Sequence, residues 1–186
     1  ANVVGAGDAE ASGKAIIIAG SKGLDDALWP NTDYLADLAY NVLQYRGYTP
    51  DAVQYLSAVV NQDVDGNGLF DDVDLETTYG NAALSFTNWA KGANRLFVYL
   101  VDHGGDQSGS GYFRLSPSET LSAAQLDIWL DRLQNAYTTE VTVVIDCCYA
   151  SSLLDELAYS GAAKRILIAS SGTNEPAYFI AGGLVS

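Results

Sequence analysis

With 186 residues and 48% apolar content, the chain is long enough to bury one sizeable core and too short for two ordinary domains. Its 23 acidic against 9 basic residues give a net charge of −14, which disfavours nucleic acid or an anionic membrane as a partner and favours a cationic ligand or metal ions. No apolar run nears the ~20 residues a membrane span needs, and "ANVVGAGDAEASG" lacks the charged and apolar regions of a signal peptide, so residues 1–13 read as a flexible leader.

In chain order, "KAIIIAG" (14–20) is a short apolar strand ending in glycine. The next segment places Leu35, Leu38, Ala39, Val42 and Leu43 at helical spacing, with Thr32 as its cap and Gly47 as its stop. "AVQYLS" is a second strand, followed by an acidic loop and a helix over about 79–90. "RLFVYLVDHGG" (95–105) is the third and strongest strand, "AAQLDIWLDRLQ" (123–134) a helix, "VTVVID" the fourth strand, "SSLLDELAY" a helix and "RILIASS" (165–171) the fifth strand. Continuous apolar strands alternating with amphipathic helices predict an α/β fold, a mainly parallel sheet with helices on both faces.

Both cysteines, Cys147 and Cys148, stand side by side where the fourth strand ends. Adjacent α-carbons lie ~3.8 Å apart, closer than ordinary disulfide geometry allows. With one histidine and no second cysteine pair, a zinc site is poorly supported. Burial or reactivity remains. In a parallel sheet, reactive groups collect at the carboxyl ends of strands, and a single helical crossover makes strands three and four neighbours. His103 and the cysteine pair then share one rim, a constellation suited to nucleophilic catalysis. Gly104 and Gly105 let the backbone approach a ligand. "GGDQSGSG" (104–111) lacks the lysine and helix start of a phosphate loop and reads as a mobile loop beside the site.

The loop "DVDGNGLFDDVD" has the spacing of a calcium site: Asp63, Asp65, Asn67, Asp71 and Asp74 at positions 1, 3, 5, 9 and 12, Gly68 at the bend, and Leu69 offering its carbonyl. Asp74 stands where a bidentate glutamate is usual. The bland alternative is a solvated acidic turn.

A hydrophobic strand ending in His-Gly, then some 40 residues later a strand ending in acidic-small-Cys, resembles the legumain-like cysteine peptidases, in the clan shared with caspases, gingipains and clostripain. "IIIAGSKG", "ADLAYNVLQYRG", "FVYLVDHGG" and "RILIASSGTNEPAYF" are similar to that family's first strand, first helix, histidine strand and the loop flanking its specificity pocket, so the likeness runs over most of 14–180. It implies a caspase-like three-layer sandwich over 14–186, with the calcium loop as an insertion at 61–76, and a cysteine endopeptidase acting on peptide or protein substrates.

By the same resemblance, Cys147 is the spacer and Cys148 the nucleophile, His103 is its partner, and the amides of Gly104 and Cys148 form the oxyanion hole. A helix starting near Ser151 is expected to lower the thiol pKa. Asp146 is expected at the floor of the specificity pocket, with Ser170 and Asn174 adding polar contacts. Asp33 falls where legumains carry an arginine. Two carboxylates in one pocket imply cleavage after Arg or Lys; alternatively, Asp33 only caps the first helix. The chain stops at "AYFIAGGLVS" where relatives continue, which implies a truncated chain or one fragment of a processed protease. The acidity and calcium loop suggest an extracellular or cell-surface prokaryotic setting. A catalytically silent calcium-binding interaction module is the alternative from another class.

Overall fold

The computed structural model describes residues 13–107 and 109–179; of the expected leader over 1–13, residues 1–12 lie outside them and Gly13 opens the first strand. Six strands form one parallel sheet: β1 (Gly13–Ala19), β2 (Val53–Ser57), β3 (Leu75–Glu76), β4 (Arg95–Val101), β8 (Glu140–Asp146) and β9 (Arg165–Ala169). Their spatial order is β3-β2-β1-β4-β8-β9, and every neighbouring pair is parallel. The chain therefore moves outward from β1 through β2 to β3, then crosses back to β4. The order reverses between β1 and β4, and in open parallel sheets that crevice is where ligands bind.

The central strands β1, β2 and β4 alternate between two cores. Ile16, Ile18, Leu96, Val98, Leu100, Val141, Val143 and Ile145 face one cluster, closed by α2 (Tyr79–Leu84), the π-helical turn Ser85–Trp89 and α3 (Ala123–Tyr137). Ala15, Ile17, Ala19 and Val101 face the other, closed by α1 (Trp29–Tyr45). A separate antiparallel sheet of β5 (Gly104–Gln107), β6 (Ser110–Arg114) and β7 (Thr120–Ser122) lies on the first side, burying Phe113 and Leu121 there. The segment read as a mobile loop is thus largely a hairpin. Glycine-rich polar strands carry no apolar alternation, so the periodicity signal is silent for them.

Helix α1 departs from expectation in its start and its buried face. Pro30 sits in its first turn, where a missing N–H costs nothing, and the helix begins a turn before Thr32. Thr32 is not a cap; it is fully buried and its hydroxyl donates to Asp102 Oδ1 at 3.3 Å. The buried stripe is Trp29, Thr32, Ala36, Tyr40 and Leu43, while Leu38 and Val42 are nearly half exposed. Thr32 and Tyr40 occupy core positions because their hydroxyls find buried carboxylates, Asp102 and Asp72.

After β8 the expected helix over "SSLLDELAY" does not form. A 3₁₀ turn, Ala150–Leu153, and loose turns stand in its place. The outer strand β9 is held by Arg165, whose fully buried side chain pairs with Asp127 and Asp131 of α3 at 2.7 Å each. Ile166 and Ile168 on its other face are about half exposed, at 50% and 48%, so among the described residues helices cover that side of the sheet only over its centre.

Candidate active site

Three strand ends meet at the crevice between β1, β4 and β8. Gly20 follows β1, and its amide donates to Val101 O at 3.0 Å. A side chain at Gly20 would collide with the Arg114 carbonyl and Asp102 Cβ, so only glycine lets these segments close. Beyond β4, Asp102 N donates to Asp146 O at 3.2 Å, and Arg114 N donates to His103 O at 2.9 Å. The backbone carrying His103 is therefore tied to both β8 and β6.

The strand alternation of β8 runs one residue past its end. Ile145 and Cys147 enter the first core, and Asp146 turns to the opposite face, where its Oδ2 accepts from Tyr99 OH at 3.1 Å. Cys147 is 1% exposed, and burial pushes its thiol pKa well up, with Cys148 and Asp146 adding to the shift. Cys148 is half-buried, its thiol 3.8 Å from Ala177 O. Gly104 connects the two motifs: a Cβ there would overlap Cys147 Sγ and the Cys148 carbonyl oxygen. The His-Gly strand end can pack against the Cys-Cys turn only because residue 104 has no side chain.

Tyr149, immediately after Cys148, sits in the left-handed region at φ 58°. For a non-glycine residue this costs about 1–2 kcal/mol. The turn is held from several sides: Tyr149 N donates to Glu175 O at 2.9 Å, and Ser152 donates to Tyr149 O through both its amide and its hydroxyl. Ser171 accepts from Ala150 N at 3.0 Å and donates to Cys147 O at 2.8 Å. This left-handed turn, and not the dipole of a following helix, is what presents Cys148; a four-residue 3₁₀ turn has too few aligned peptides to replace that helix.

One contact had no signal in the motifs. His103 Nε2 lies 2.7 Å from Asp26 Oδ2, in the loop between β1 and α1, with the two side chains 24% and 17% exposed. Asp26 Oδ1 accepts from Leu28 N at 3.1 Å. That backbone bond, then His103, holds the Asp26 carboxyl below its usual range, although burial opposes them. Reading Pro30 as the helix start would have drawn attention to Asp26 as the residue tying down the turn before it. Among the described residues no hydrogen bond joins the His103 imidazole to the Cys148 thiol.

The expected pocket residues do not all converge. Asp33 Oδ1 accepts from Gln62 Nε2 at 3.2 Å, and Gln62 Nε2 also donates to Ser57, the last residue of β2, and to Val59 O just beyond it. Asp146 ends β8, with β1 and β4 between, a spacing of roughly 14 Å at strand-to-strand distances. The two carboxylates serve different parts of the rim, and Asp33, in the second turn of α1, is not a cap either. Ser170 and Asn174 are exposed in the loop after β9, next to the Ser171 and Glu175 contacts that hold the cysteine turn.

In the acidic loop, oxygens of Asp63, Asp65 and Asp72 lie within 4.8 Å of one another. Asp74 is a correction: its Oδ2 accepts from Tyr55 N at 2.7 Å, which turns it to the backbone of β2. The tenth loop position, Asp72, enters the cluster in its place; its Oδ2 accepts from Val64 N and its Oδ1 from Tyr40 OH, both at 2.7 Å. Asp71 is exposed, Asn67 turns its amide nitrogen to Asp65, and Gly66 and Gly68 take positive φ at the bends. Asp63 Oδ1 is buried and has no partner among the described residues.

The Peptidase C13 family model matches residues 85–180, 96 of 186 positions and so just over half of the chain. The chain belongs to the Peptidase C13 family. This is the legumain family of cysteine peptidases, in the caspase-like clan, and the parallel six-stranded sheet flanked by helices agrees with that fold. The match takes in both strand ends bearing His103 and Cys148 and the loop after β9. It leaves out β1, α1, Asp26, Asp33 and the acidic loop; for β1 and α1 the likeness rests on the motifs alone. No curated protein matches the chain.

Proposed function

We propose that this Peptidase C13 chain is an endopeptidase in which Cys148 is the nucleophile and His103 its acid–base partner. The observation that carries the reading is the fit of Gly104 against Cys147 and Cys148, which sets the two strand ends at the switch point of the sheet side by side. The buried Cys147, with its raised thiol pKa, is a spacer. In the first half-reaction the Cys148 proton passes to the imidazole and the sulfur attacks the scissile carbonyl carbon. The C–N bond then breaks as the imidazolium returns that proton to the leaving amine. Water repeats the exchange on the thioester, releasing the acid and the free thiol. Oxyanion stabilisation falls to the amides of Gly104 and Cys148; the latter donates to no other group among the described residues.

Preference for Arg or Lys before the scissile bond belongs to the same reading, and Asp146 carries it without Asp33. Asp146 ends the strand that bears Cys148, its carboxylate is only half-buried, and a guanidinium pairs with it better than an amide side chain does. A peptidyl electrophile with a basic terminal residue tests both parts. It should label Cys148 and not Cys147 by mass spectrometry, and Cys148→Ala should abolish labelling and hydrolysis. Faster cleavage after Asn than after Arg or Lys would overturn the preference, and labelling at Cys147 would overturn the nucleophile.

Calcium as a structural ion at Asp63, Asp65 and Asp72 completes the proposal. Its support is the buried, unpartnered Asp63 Oδ1 within a cluster of like charges, which a divalent cation neutralises.

A further inference from the structure

Helix α1 is apolar on two faces. Ala36, Tyr40 and Leu43 close the second core. Tyr34, Leu38, Val42 and Tyr45 follow one another at steps of four, four and three residues, so they form a single row along the side turned to solvent. They are 43%, 43%, 49% and 90% exposed. A surface helix ordinarily carries polar residues there, and while scattered apolar side chains need no account, a continuous row over three turns does. Asp33, Asp37 and Asn41 make the neighbouring row, and the acidic loop is moored beside it. Asn41 Nδ2 donates to Val64 O and Gln62 Nε2 to Asp33 Oδ1, both at 3.2 Å, and Tyr40 OH to Asp72 Oδ1 at 2.7 Å. Neither α1 nor residues 61–76 contain a Lys or Arg, so this flank of the apolar row is anionic throughout. The loop also exposes Leu69 and Phe70.

We propose that the outer face of α1 is a docking surface for a basic amphipathic helix of a protein partner. The partner's apolar side chains pack on the row from Tyr34 to Tyr45, and its Lys or Arg residues face the carboxylates of the acidic flank. Burial of the row supplies the attraction, and the charges select the partner and its orientation. Charge also decides against the other occupants. A second copy brings a further net charge of −14, and antiparallel pairing of two α1 helices about a twofold axis sets the two acidic flanks on the same side. Residues 1–12 and 180–186 hold no Lys or Arg, so neither segment supplies the basic face. The inference stands apart from the peptidase reading and needs no ion in the loop.

The probe is a synthetic peptide of about 18 residues with leucines on one helical face and lysines on the other, titrated in chelator. A peptide of the same composition, reordered so that the leucines fall all round the helix, is the control for charge alone. The amphipathic peptide should bind with Kd on the order of ten micromolar, at least about tenfold tighter than the reordered one, and weaken severalfold at high salt. Backbone amide shifts in nuclear magnetic resonance should change along α1 and the acidic loop. The double variant Leu38→Gln, Val42→Gln alters only outward-facing side chains and should fold, yet lose about tenfold or more in affinity. Ile166→Gln with Ile168→Gln, on the exposed face of β9, should bind as the native protein does. No binding up to about a millimolar, equal binding of the reordered peptide, or affinity within about twofold of native in the α1 variant would overturn the proposal. So would a dimer of the native protein in sedimentation that the α1 variant abolishes, which would assign the face to a second copy.

Discussion

Gly104 lies so close to Cys147 that the two strand ends carrying His103 and Cys148 share one packing contact, with Cys147 Sγ filling the space a side chain would need. The spacer cysteine is therefore a shape requirement as much as a hydrophobe. Gly104→Ala should cost about 1–3 kcal/mol by overpacking and should separate the two motifs. We expect a lower melting temperature together with a loss of kcat larger than the loss of stability explains. Gly47→Ala, at a positive φ with open space around it, is the control: it should lower the melting temperature and leave kcat unchanged.

The two cysteines should behave as chemically different groups. At neutral pH a small alkylating agent should modify half-buried Cys148 in the native protein and reach Cys147 only after denaturation. Cys147→Ala should cost about 1–2 kcal/mol of packing and keep most of the activity, whereas Cys148→Ala should lose several orders of magnitude in rate. Mass spectrometry of partially alkylated protein reads the order, and modification of Cys147 first would contradict the burial argument.

Asp37 predicts a pH dependence of stability. Burial, with Asp33 and Asp72 nearby, raises its pKa to about 6, although Tyr55 OH donates to it at 2.8 Å. A carboxyl whose folded pKa exceeds its unfolded one binds protons more tightly when folded, so its contribution is greatest below about pH 4 and is lost as pH rises through 6. In chelator, the melting temperature should be higher at pH 5 than at pH 7, by an amount equivalent to about 1–2 kcal/mol after allowance for partial exposure. Asp37→Asn should raise stability at pH 7 and flatten the profile. A profile that rises from pH 5 to pH 7 would contradict this.

Calcium should raise the melting temperature in the native protein, by about 2.7 kcal/mol in stability at a hundredfold excess over Kd. Asp63→Ala should remove that shift. Asp74→Asn, which keeps an oxygen for the amide of Tyr55, should leave the calcium shift intact, because that side chain serves the backbone of β2 and not the loop. If Asp74→Asn abolishes the calcium shift while Asp63→Ala spares it, the revised donor set is wrong.

Periodicity and strand-end composition were enough to read the central strands. Ile16 to Ile18 and Leu96 to Val101 are apolar on both faces, and Val141 to Ile145 has Thr142 as its one polar residue, a pattern that asks for a sheet covered on both sides. Alternation at a strand end lets only one of Cys147 and Cys148 face the crevice, and the resemblance to the legumain-like peptidases chose Cys148. The His103-Gly104 and Cys147-Cys148 motifs were legible for the same reason: both are local to strands whose order along the chain makes them neighbours. The stripe of α1 was misphased because Thr32 and Tyr40 look polar until their partners, Asp102 and Asp72, are known. Asp26 beside His103 spans 77 residues, Asp74 turned to Tyr55 spans 19, and Asp33 on Gln62 spans 29. Such polar pairings are decided by where the backbone places each carboxylate and which donor must be satisfied there, and no periodicity or motif encodes that. The strands and the strand-end motifs were in the sequence; the partners of its acidic residues were settled only by the folded chain.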